Sequence, residues 1–127
     1  MGLGKFAKVL IMLARLLFLV ELGFGIAIAS AKGFQFVRLH IGLGFAMSIL
    51  LLLLAILAAT KKLVIPTLLG CTFAIVLPWT GIEQLPVRLA GGFRAIQGAH
   101  AAIAILSIGA AEIIYARFRR VVSQPRV

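Results

Sequence analysis

His40 and His100 are the only two imidazoles in a chain of 127 residues, and each stands near the start of a long apolar run. An ionisable side chain is costly in hydrocarbon, so placing one there makes it a functional candidate by default. An imidazole in that setting can ligate a metal, handle a proton or hydrogen-bond a neighbouring helix. The acidic residues are Glu21, Glu83 and Glu112, there is no Asp, and the single cysteine, Cys71, sits in an apolar run where it reads as a small buried hydrophobe. No Ser-His-Asp set, carboxylate pair, disulfide framework or Cys-x-x-Cys-His attachment site is present. With no carboxylate or thiolate beside either histidine in the sequence, zinc and copper are poorly served.

The elements that position these residues follow from composition. At 63% hydrophobic and 13% charged, the chain is far from a soluble domain, which carries about a quarter charged residues. Its net charge of +10 comes from Lys and Arg that punctuate apolar runs and form no basic face. This excludes nucleic acid as a partner and points to loops meeting anionic headgroups of a lipid bilayer. Four segments reach the roughly 20 apolar residues a spanning helix needs: 9–30, 36–59, 63–81 and 95–116. The first is too long, and with Arg15 and Glu21 too charged, for a signal peptide. In the third, Pro66 falls in the first turn and Pro78 is expected to end the helix, leaving Trp79 at the interface. Short connections predict a single all-α domain over 1–127, an antiparallel up-down four-helix transmembrane bundle. The loop "TGIEQLPVRLAGGFR" is expected to lie flat on the membrane.

Lys5, Lys8, Lys61, Lys62, Arg117, Arg119, Arg120 and Arg126 flank one side, against Lys32, Arg38, Arg88 and Arg94 on the other. The positive-inside bias predicts both termini in the cytoplasm of a bacterial inner membrane. The second and fourth spans then begin at the same outer face. His40 and His100 lie roughly four and five residues into them, level to within about one helical turn. Across the diagonal of a bundle, this is what one bis-histidine haem b requires. Gly44 follows His40 by one turn and Ala104 follows His100 by one turn, leaving space beside each ring, with Gly42, Gly98, Ala101, Gly23 and Gly25 close by. Arg38, Arg88 and Arg94 stand on the side where haem propionates need donors, and Gln97 can bond a propionate or orient an imidazole.

Two further charges lie within the spans. Arg15 and Glu112 both fall in the inner half, where pairing would lower the cost of burying each. Glu21, near the middle of the first span, has no cation at an obviously matching depth. It is a candidate proton or quinone site, or a partner of a backbone carbonyl.

The segments "RLHIGLG" and "IQGAHAAI" resemble small four-helix membrane b-type cytochromes, and more closely one four-helix half of the haem A synthase family. There too a histidine followed by small residues near the outer end of a helix pairs with another two helices on. The resemblance implies His40 and His100 as axial ligands of one haem iron. It also implies electron transfer rather than a stand-alone enzyme activity, with a quinone, a periplasmic donor or other membrane redox subunits as partners. A second resemblance, to small multidrug-resistance exporters of similar length with a glutamate in the first helix, implies a proton-coupled transporter using Glu21.

Overall fold

The computed structural model describes residues 2–30, 33–89 and 94–123, with the side chains of Phe34 and of residues 85–94 left aside. Four helices account for nearly all of it: α1 (Leu3–Ala29), α2 (Val37–Thr60), α3 (Val64–Leu89) and α4 (Arg94–Ser123), with a short 3-10 turn, Phe34–Phe36, leading into α2. All four are long and apolar enough to cross a membrane. In hydrocarbon every backbone N–H and C=O must be satisfied internally, which a helix achieves alone. No strand occurs among the described residues.

Each helix packs on its neighbours in the cyclic order α1, α2, α3, α4, and α2 also touches α4 across the middle. The all-α four-helix bundle expected from the sequence is therefore what forms. The start of α1 meets the end of α4, where a Cβ built at Gly4 would lie 3.6 Å from Val122 Cγ1. Between Thr60 and Val64 the chain reverses through Lys62, in the left-handed region at φ 57°. There the Leu63 and Lys62 amides donate to the carbonyls of Ala58 (3.1 Å) and Ala59 (2.9 Å), a Schellman cap with lysine where glycine is usual.

The packed core lies towards one end of the bundle, around Ile11, Leu51, Leu54, Ile114 and Phe118. Lipid tails are as apolar as these side chains, so close van der Waals fit rather than expulsion from water holds the helices together. Gly70 shows how tight that fit is. A Cβ there would come within 2.7 Å of Ala55 Cβ and 3.0 Å of Ile114 Cδ1.

Two boundaries differ from the sequence expectation. Pro78 removes the amide that would serve the Ala74 carbonyl, yet α3 runs on to Leu89. One lost hydrogen bond does not end a helix whose neighbours pack against it, so residues 80–89 of the segment expected to lie flat on the membrane are instead the last turns of α3, and 90–93 lie outside the described residues. Likewise α4 extends past residue 116 to Ser123 and carries Arg117, Arg119 and Arg120 on a helix rather than in a tail.

Candidate functional site

Away from the packed core, the bundle opens into a cavity of about 260 Å³ lined from all four helices. Its walls are apolar except for a few groups, among them Glu21, His40, Gln84, Gln97 and His100. His40 reaches it from α2 and His100 from α4, with ring centroids 6.2 Å apart and planes at 83°. The two imidazoles expected to face one another across the diagonal do so.

Glu21 is not isolated, contrary to the sequence expectation. Its Oε2 lies 2.6 Å from His40 Nδ1, with both side chains mostly buried. Neither Nδ1 nor Glu21 Oε1 has a hydrogen-bond partner among the described residues, so the two groups meet in a close polar contact without N–H···O geometry.

His100 has a partner of a different kind. Thr80 Oγ1 lies 3.1 Å from its Nδ1, and the same hydroxyl bonds back to the Val76 and Leu77 carbonyls at 3.0 and 3.1 Å. A hydroxyl has one proton to give. With that proton directed to its own helix, Thr80 accepts from His100 Nδ1–H, and the Nε2 lone pair is left for a ligand. Neither Nε2 has a hydrogen-bond partner among the described residues.

Small residues let the rings sit where they do. A Cβ at Gly81 would stand 3.2 Å from His100 Cε1, and one at Gly25 would stand 3.8 Å from His40 Cε1. Gly44 lies against Glu21, its built Cβ 3.9 Å from Oε2. Gln97, Gly44 and Ala104 line the cavity, with Gly25 and Ala101. At Gly23, Gly42 and Gly98 a Cβ would meet nothing within 4 Å. Arg38 is exposed and does not line the cavity, and the side chains of Arg88 and Arg94 lie outside the described residues.

Thr80, Gly81 and Gln84 were not singled out from the sequence. The signal was present: Leu77, Gly81 and Gln84 recur at i, i+4 and i+7 and place one face of α3 on the cavity. Reading Pro78 as a helix end hid it.

Among the described residues no group of three His, Cys, Asp or Glu side chains could hold a metal ion. Elsewhere in the bundle, Arg15 and Glu112 form a two-pronged pair, with Nε to Oε1 at 2.6 Å and Nη2 to Oε2 at 2.9 Å. It lies outside the cavity. No family model, curated protein or solved structure matches the chain.

Proposed function

We propose that the chain is a b-type haem-binding membrane cytochrome, similar to one half of the haem A synthase family. It transfers electrons alone or as a subunit of a larger redox complex. In this reading the bundle is antiparallel, in a bacterial inner membrane, with both termini cytoplasmic. The observation that carries the proposal is the pair of facing imidazoles, 6.2 Å between centroids, with Glu21 beside Nδ1 of one and Thr80 beside Nδ1 of the other. A ring nitrogen sits about 1 Å from its centroid and a metal–imidazole bond is about 2 Å long, so two such rings flanking one ion stand about 6 Å apart. The donor set fits one iron.

Bound haem would supply a one-electron couple. The protein's residues supply the rest. His40 and His100 would hold the iron from α2 and α4. Glu21 and Thr80, beside the two Nδ1 atoms, would orient the rings, as partners of ligating histidines generally do. Gln84 and Gln97 place amide donors on an otherwise apolar wall, suited to propionates or to a quinone carbonyl. At about 260 Å³ the cavity is below the 300–1,000 Å³ usual for drug-sized ligands, so a macrocycle enters only as the helices part in this half.

A pyridine haemochrome assay on the purified full chain, expressed with ample haem, tests the reading. Red protein with a Soret band that sharpens on reduction is expected, and His40→Ala and His100→Ala each abolish it. Colourless wild-type protein refutes it.

The second reading, proton-coupled export of a lipophilic compound, is favoured by one observation: Glu21 lies on the wall of an apolar cavity within 2.6 Å of His40. Loss of proton-driven efflux in Glu21→Gln supports it, and unchanged efflux removes it.

A further inference from the structure

Arg15 and Glu112 raise a question that the cavity does not answer. They neutralise each other, yet their side chains remain 53% and 41% exposed, so the pair looks outward from the seam between α1 and α4. Arg15 is twelve residues from Leu3 and fourteen from Ala29, about 18 and 21 Å along the helix axis. Neither end of α1 is near enough for the guanidinium to reach headgroups comfortably. Around the pair stand exposed Met12, Leu19, Leu22 and Ile105, a belt meant for an apolar surrounding. A half-exposed ion pair inside such a belt is expensive against hydrocarbon.

The pair is also unsaturated. Arg15 uses Nε and Nη2 on Glu112, leaving N–H donors on Nη1 and Nη2, and the carboxylate keeps unused lone pairs. What satisfies them must offer an acceptor and a donor, both charged, at one depth in the bilayer. A second copy does this automatically. A two-fold axis along the membrane normal preserves depth and sets α1 of one chain against α4 of the other. Because Arg15 and Glu112 already share a depth, the partner's Glu112 faces Arg15 and the partner's Arg15 faces Glu112. The isologous contact closes on itself. Gly109, where a Cβ would meet nothing within 4 Å, lies one turn from Glu112 on this face and permits close backbone approach.

We infer that the α1–α4 face is a homodimer interface, closed by a four-charge ring made of the Arg15–Glu112 pair of each of two copies. The inference is independent of haem binding.

The test is native mass spectrometry of the full chain released from lipid nanodiscs, with a dimer expected at twice the chain mass. Arg15→Glu alone, and Glu112→Arg alone, each place like charges on this face and are expected to lose the two-chain species. Mixed together, the acidic face of one variant meets the basic face of the other and a heterodimer forms. The Arg15→Glu/Glu112→Arg double variant restores the pair within and between chains and is dimeric again, which keeps the test open if a single variant fails to fold. Monomeric wild-type protein overturns the inference, as does a dimer that persists in both single variants. A swapped double variant that stays monomeric, or a wild-type mass revealing a different subunit bound on this face, also overturns it.

Discussion

Thr80→Val asks whether a single hydroxyl sets the chemistry of His100. Valine keeps the shape of threonine and removes the oxygen that stands 3.1 Å from Nδ1. The Nδ1–H is then left without an acceptor, which for a buried donor costs about 1–3 kcal/mol. At about 1.4 kcal/mol per factor of ten in affinity, that range corresponds to roughly 5- to 150-fold. His100 is only part-buried, which favours the lower portion, so about tenfold weaker haem binding is expected. The independent expectation for losing the partner of a metal-ligating histidine is about 10- to 100-fold, and the two overlap. Thr80→Ser keeps the oxygen and should bind within about twofold of wild type. The assay is titration of the detergent-solubilised apoprotein with haemin, read at the Soret maximum, with far-ultraviolet circular dichroism confirming an intact helical bundle. Wild-type affinity in the valine variant, with wild-type protein binding haem normally, refutes the claim that Thr80 fixes the ligating tautomer. Equal losses in valine and serine variants refute it as well.

Three other outcomes follow from the geometry. Gly70→Ala forces a Cβ to within 2.7 Å of Ala55 Cβ, and the overpacking should lower stability by about 1–3 kcal/mol, read as a lower thermal unfolding midpoint in detergent. Lys62→Gly relieves a non-glycine residue at φ 57° and should stabilise by up to about 1 kcal/mol, raising the same midpoint. Glu21→Gln is close in shape but removes the charge beside His40. It should weaken haem binding by about 10- to 100-fold in the titration used for Thr80, while leaving the circular dichroism unchanged.

Much of the architecture was legible because the bilayer imposes a simple requirement on sequence: runs of about 20 apolar residues. Those runs located all four helices, and the level placement of His40 and His100 followed from counting. What could not be counted was rotation. α2 is apolar all round, so nothing in its pattern says which way His40 points or that Glu21 waits beside it. The pairing of Arg15 with Glu112 was easier to anticipate, because two opposite charges set in apolar runs have few other partners. α3 was misread for a local reason. Pro78 and Trp79 together look like a helix end at an interface, and only packing shows that the helix continues and brings Thr80, Gly81 and Gln84 to the site.

The ion pair between Arg15 and Glu112 spans 97 residues of sequence, about three-quarters of the 127. The guanidinium is therefore synthesised with α1 and meets its counter-charge only when α4 is made. By contrast, Glu21 and His40 belong to one helical hairpin and can enter the bilayer as a neutralised unit. Biogenesis is thus divided in time: the contact between Glu21 and His40 can form once α2 is made, while Arg15 and His40 both wait for α4, which brings Glu112 and His100. A nascent chain halted before α4 holds an arginine without its counter-charge in the bilayer, a mark by which quality control can recognise it.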